Sequence, residues 1–198
     1  LCRPQRAQNF LLTQFAPQKD DCDCSAGHSN SDCLFLRENT LSMSLFSSTS
    51  IAVLSSCDTV MNEARRRFEA GNFPVNASVI SRTQSAGRGT HGRTWVSTEG
   101  NLYAALRLDA GLMQAGLLAP QLVSACLLRV VKDLGVEAKL KWPNDLVINV
   151  LGKGWCKAAG ILLERKGELL TAGIGLNLVT SPTAAAMREG AALPAASL

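Results

Sequence analysis

Nowhere does the sequence hold a run of about 18 apolar residues, so no stretch of it reads as a membrane-spanning helix. It does not open on Met, and the two arginines of Leu1–Arg6 lack a following apolar segment. That argues against a secretory signal, while a missing start stays open. Surplus charge is small, 20 Lys+Arg against 16 Asp+Glu. An excess of that size gives no ground for a nucleic-acid partner and suits the phosphates of a small molecule equally well. A disulfide framework is also unsupported. The seven cysteines are odd in number, Cys2, Cys57, Cys126 and Cys156 are scattered, and 46% hydrophobic residues can build a core without bridges. A reducing compartment follows. With 46% hydrophobic and 18% charged residues, the composition reads as that of a globular protein rather than a disordered one.

What is present falls into two parts. Residues 1–48 read as an irregular or flexible arm, with polar Pro17–Cys33 and a serine-rich stretch from Ser42 to Ser50. Cys22, Cys24, His28 and Cys33 carry zinc-binding donors, but their C-x-C-x3-H-x4-C spacing is not a common finger pattern and no second knuckle follows. The reading favours an arm or leader over a metal site.

Residues 49–198 read as one domain. Ser50–Ser56 is a short apolar run bounded by serines, the mark of a buried strand. Thr59–Ala70 places Val60, Met61, Ala64 and Phe68 at helical intervals, with Asp58 or Thr59 able to cap and Gly71–Pro74 to stop it. Ala77–Ser85 and Asn101–Leu108 alternate as strands, and Ala119–Leu134 is a long apolar helix with basic residues before Gly135. Glu137–Pro143, Leu146–Gly152, Ala158–Gly167 and Glu168–Val179 follow as strands joined by tight turns. Strands cluster rather than alternate with helices, which predicts an α+β fold built on a mixed, mainly antiparallel sheet flanked by helices.

Four segments carry chemistry. QSAGRGTHGRTW (Gln84–Trp95) sets Arg88 and Arg93 among Gly87, Gly89 and Gly92. Glycines let the backbone approach a ligand, its N–H groups can cradle an anion, and the guanidinium forks bind carboxylate or phosphate in two-point fashion. A solvated hairpin with two surface arginines is the plainer reading. KWPND (Lys141–Asp145) presents Asn144 and Asp145 from a turn, where a carboxylate suits Mg²⁺ beside phosphates or simply makes the turn. KAAGILLE (Lys157–Glu164) leads with a lysine beside small residues, either a charge-stabilising group or a strand-edge lysine. GIGLN (Gly173–Asn177) adds glycines and an amide.

Taken together and in this order, these segments resemble the catalytic domain of biotin–protein ligases, over about residues 50–198. The resemblance implies the biotin/lipoate ligase fold, similar to class II aminoacyl-tRNA synthetases. It implies an enzyme that joins biotin to ATP and passes biotin from biotinyl-5'-AMP to a lysine of a carboxylase's biotin-carrier domain. ATP and biotin are then substrates, Mg²⁺ a helper, and no tightly bound prosthetic group is implied. It assigns catalysis to Lys157 and Arg88, and biotin binding to Thr59, Gln84, Gly87, Arg88, Lys157 and Gly160. Nucleotide binding falls to Gly89, Arg93, Trp95, Asn144 and Asn177, and Mg²⁺ to Asp145. Two departures stand out: Thr90 replaces an arginine of the family loop, costing one contact to the adenylate, and Val60 replaces a hydroxyl residue. The family's small C-terminal domain is not seen, and no helix-turn-helix pattern suggests a repressor role. A lipoate- or octanoate-transferring enzyme of the same fold, and a non-catalytic remnant, are the alternatives. A cytoplasmic location is expected, with mitochondrial targeting open. Neither nucleic acid nor membrane is expected as a partner, and apolar strands could pair two copies into a homodimer.

Overall fold

Parallel pairing of two strands needs a crossover between them, and the first strand pair supplies one. In the computed structural model, which describes residues 50–183, 186 and 193–198, β1 (Ile51–Leu54) lies parallel to β2 (Ser78–Ser81). The crossover contains helix α1 (Val60–Glu69). Five more strands follow: β3 (Leu102–Leu108), β4 (Ala138–Lys141), β5 (Asp145–Val150), β6 (Gly154–Lys166) and β7 (Leu169–Leu176). The seven-stranded sheet has the order β1-β2-β3-β7-β6-β5-β4, antiparallel everywhere except at β1–β2. The expected α+β class and mixed, mainly antiparallel sheet are therefore found. The arm and its candidate zinc donors Cys22, Cys24, His28 and Cys33 lie outside the described residues.

Helix ends follow local chemistry. Thr59 caps α1 from an extended conformation, its hydroxyl accepting from Met61 N at 3.4 Å. Gly71, at φ 73°, ends it and donates to Phe68 O. Helix α2 (Ala119–Asp133) starts with Pro120 in its first turn and stops before Gly135, at φ 82°. Ahead of it, Ala110–Leu118 forms 3-10 turns kinked at Gly116, a segment that lacks a clear period in the sequence. Among the described residues no single helix is long and apolar enough to cross a membrane.

Two cores form because strand residues alternate between faces. Val60, Met61 and Ala64 of α1 pack with Val79, Tyr103 and Ala105 on one face. Leu127 and Val131 of α2 pack with Ile148, Ile161 and Leu176 on the other. Adjacent residues Ile161 and Leu162 accordingly belong to different clusters.

One irregularity in β6 sets the direction of a lysine. Leu146 pairs with Ala159, but the next residue, Val147, pairs with Lys157, leaving Ala158 as an extra residue in β6. A bulge of this kind reverses the side-chain alternation beyond it. Lys157 and Gly160, an odd number of residues apart, thereby share a face, and Lys157 Nζ lies 3.3 Å from where a Cβ on Gly160 would sit. The last residues hold the bulge from outside: Lys157 N donates to Pro194 O at 2.7 Å, and Ala196 N donates to Lys157 O at 3.0 Å.

Candidate active site

Three glycines hollow the sheet on the α1 side. A Cβ on Gly175 would come within 2.5 Å of the Trp95 ring, one on Gly160 within 2.9 Å of the same ring, and one on Gly173 within 2.7 Å of Met61 Sδ. Trp95 therefore lies flat on bare backbone of β6 and β7, with its indole N–H buried and lacking an acceptor among the described residues. Beside it opens a cavity of about 100 Å³. Thr59, Val60, Met61, Gln84, Arg88, Gly89, Arg93, Trp95, Asn144, Lys157 and Gly160 line it.

Gln84 is fixed at both ends. Its Oε1 accepts from the Val60 N–H at the start of α1 (2.9 Å), and its Nε2 donates to Ser97 Oγ (3.0 Å). Ser97 in turn donates to Trp95 O at 3.1 Å. At Val60, the departure from the family's hydroxyl residue, the backbone N–H is taken up by Gln84 Oε1. Ser97 is not legible in the sequence, since a serine at the foot of a loop carries no signature of its own.

The glycine–arginine loop has the form of a small hairpin. Trp95 N donates to Gly87 O at 2.8 Å and Gly89 N to Arg93 O at 2.7 Å, and the tip, Thr90–Gly92, is a 3-10 turn with His91 at φ 57°. Arg88 and Arg93 both reach the cavity wall, while Gly87 lies behind it, packed against Trp95 O and Ser97. Arg88 Nη2 also pairs with Glu164 Oε2 at 3.4 Å.

On β6, Lys157 Nζ sits 2.6 Å from Asp145 Oδ1 and 5.3 Å from the centre of the Trp95 ring. Lys141 Nζ lies 3.6 Å from Asp145 Oδ2. Asp145 was expected to help hold Mg²⁺. Both of its oxygens face lysines, and among the described residues no cluster of three or more His, Cys, Asp or Glu side chains is found. The donor set does not fit a resident divalent cation, which needs several free oxygens. Asn144 lines the cavity and donates from Nδ2 to Ile161 O at 2.7 Å. Asn177 does not come to the cavity. It is 2% exposed and donates from Nδ2 to Ala196 O, tying the final residues to the end of β7.

Charge also steadies the rim at α1. Asp58 accepts from Arg66 Nη2 (2.8 Å) and from Asn62 Nδ2 (2.7 Å), and these bonds, Arg66 first, hold its carboxyl well below the usual carboxylate range. A depressed native pKa stabilises the fold above the unfolded value, about 4, and that contribution fades as pH falls below it. Both side chains are largely solvated, at 52% and 39% exposure, which limits the pair to about 0.5–1 kcal/mol. Asp58→Asn is expected to lower Tm by about 2–3 °C at pH 7 and to shrink the fall in Tm between about pH 5 and 3, read by thermal melts across that range. Nearby, burial raises the pKa of the Cys57 thiol, which works against thiolate character there.

Residues 53–178, more than half of the chain, match the model of the biotin/lipoate A/B protein ligase family. The biotin–[acetyl-CoA-carboxylase] ligase of Paracoccus denitrificans is 38% identical over 131 residues, 60% of this chain and 51% of that relative. The bifunctional ligase/repressor BirA of Bacillus subtilis (strain 168) is 34% identical over 142 residues, 66% of this chain and 40% of its own length. Among solved structures, the biotin protein ligase of Leishmania major in complex with biotinyl-5-AMP superposes with a TM-score of 0.58 at 28% identity, covering 70% of this chain and 61% of that one. The chain spans about half the length of the curated relatives it matches. With the family model matching more than half of its residues, the chain belongs to the biotin/lipoate A/B protein ligase family.

Proposed function

We propose that this chain is the catalytic part of a biotin–protein ligase, which activates biotin with ATP and delivers it to a lysine of a carboxylase's biotin-carrier domain. The observation that carries the reading is the convergence of Arg88, Arg93 and Lys157, from separated stretches of chain, on one cavity that also holds the fixed amide of Gln84. Such a cavity offers cations to a carboxylate and a phosphate at one side and a polar, hydrogen-bonding end at the other.

In the first step a biotin carboxylate oxygen attacks the α-phosphorus of ATP. The bond to the β-phosphate oxygen breaks and diphosphate leaves. Two anions repel one another, and Lys157 with Arg88 and Arg93 offsets that repulsion and the charge growing on the phosphorus oxygens. Holding both reactants against one wall removes the entropy of their encounter. In the second step the carrier's lysine amine attacks the acyl carbon, the C–O bond to AMP breaks, and the nitrogen loses a proton. Between the steps the mixed anhydride needs shelter from water, which the hairpin loop over the cavity supplies. Magnesium enters as part of MgATP, neutralising phosphate charge, and needs no protein-built site.

The discriminating assay is biotin-dependent exchange of labelled diphosphate into ATP, followed by transfer of labelled biotin to an isolated carrier domain. Exchange and transfer are expected with biotin. Exchange with lipoate or octanoate alone would favour the lipoate-type alternative, and no exchange with any acid would leave only a binding remnant. The polar end formed by Thr59 and Gln84 favours a ureido ring over a plain acyl chain.

A further inference from the structure

Arg88 touches two hollows at once. It lines the main cavity, and with Arg65, Glu164, Lys166 and Thr171 it lines a neighbouring cleft of about 60 Å³. Glu164 stands on β6 opposite Thr171 of β7, while Lys157 stands at the bulge of β6, about 20 Å back along the strand. The 3.4 Å pair with Glu164 thus draws the Arg88 guanidinium along the sheet, away from the Lys157 end.

We propose that Glu164 is a positioning residue that parks Arg88 outside the anion subsite, so that an acid must compete with this carboxylate before it gains the arginine. The inference rests on the biotin-ligase reading for the identity of the acid. Release from the parked position is cheap for three reasons. Arg88 and Glu164 are 40% and 43% exposed, so water screens their pair. Arg65 and Lys166 line the same cleft as Glu164, so positive charge stays in that cleft when Arg88 departs. The next residue, Gly89, is bonded within the hairpin to Arg93 O at 2.7 Å, and a Cβ there would meet nothing but Arg93, so no packing from the sheet holds the loop at that point. An acid's apparent affinity is then reduced by the fraction of molecules in which Arg88 is free. A neutral analogue, such as biotin amide, has little use for Arg88 and escapes the penalty, so Glu164 narrows the preference for acid over amide.

The test uses the full chain and Glu164→Gln, which keeps size and removes charge. Biotin Kd is expected to fall about two- to fivefold, the range of a screened surface ion pair. KM for biotin should fall with it at unchanged kcat, while biotin amide affinity stays within error. The gain should vanish in the Arg88→Ala background, and amide hydrogen exchange over residues 88–94 should quicken in the variant without added biotin. Equal or weaker biotin binding in Glu164→Gln, or the same gain in the Arg88→Ala background, overturns the proposal. Should the unaltered chain bind no biotin, the functional reading fails, and the parked arginine is judged by exchange alone: quicker exchange upholds it and unchanged exchange overturns it.

Discussion

Replacing Lys157 with Met is expected to lower biotin-dependent diphosphate exchange by about two to three orders of magnitude, the effect of deleting a charge aimed at a transition state. Met keeps the stem that packs beside Gly160 and the Trp95 ring, so the loss isolates the ammonium group. Stability should suffer far less. Asp145, at 15% side-chain exposure, loses its 2.6 Å partner but keeps Lys141 at 3.6 Å, so it is not left as an unpaired buried charge. That limits the loss to about 1–2 kcal/mol, or a Tm lower by about 3–6 °C. Lys157→Arg should not rescue exchange. A planar guanidinium spreads its charge over a fork and does not reproduce the compact ammonium that sits 2.6 Å from Asp145 Oδ1. A Lys157→Met protein that keeps a tenth or more of the exchange rate would remove Lys157 from the chemistry and leave it a partner of Asp145 alone.

The parts of this site that were legible in the sequence are those written in local chemistry. Thr59 as a cap, Gly71 and Gly135 as helix stops, and a strand over Asn101–Leu108 each depend on neighbours within a few residues, and each is found, although Tyr103, Ala104 and Ala105 are buried in succession where alternation was expected. The convergence of Arg88, Asn144 and Lys157 could be anticipated only from the family order of four motifs, because no periodicity links residues so far apart. Two features stayed out of reach. The bulge at Ala158, which brings Lys157 round to the face of Gly160, depends on how β5 pairs with β6. Read as a regular strand, the same letters would point Lys157 away from the cavity. Asn177 shows the converse. The resemblance places it near a nucleotide, whereas here it lies outside the cavity lining and donates one amide N–H to the carbonyl of Ala196, 19 residues on. Such a partner is chosen by the path of the final residues and has no mark near position 177. Glu164 was read only as the end of an apolar strand, and its role follows from a contact with Arg88 across 76 residues.

Gly87→Ala, a methyl added behind the cavity wall, should be more harmful than one at Gly173. A Cβ on Gly87 would lie 2.4 Å from Trp95 O and 2.7 Å from Ser97 Oγ. The first of these is backbone, held in place by the Trp95 N–Gly87 O bond of 2.8 Å, so it cannot rotate away. The two strands of the loop must part instead. Parting them breaks that bond, lifts the Trp95 ring from Gly160 and Gly175, and pulls Ser97 away from Gln84. Overpacking of this kind costs about 2 kcal/mol, so Tm should fall by about 4–8 °C. Exchange activity should fall at least a hundredfold, because Arg88 and Gln84 lose their shared frame. Gly173→Ala is the control. Its Cβ would meet Met61 Sδ at 2.7 Å, the end of a flexible side chain that can swing aside at about 1 kcal/mol or less. Melting curves and biotin titrations on the two variants therefore separate a rigid neighbour from a soft one. If Gly87→Ala proves no less stable than Gly173→Ala and binds biotin as well as the unaltered chain, the loop is not seated on the sheet through Gly87 and Trp95.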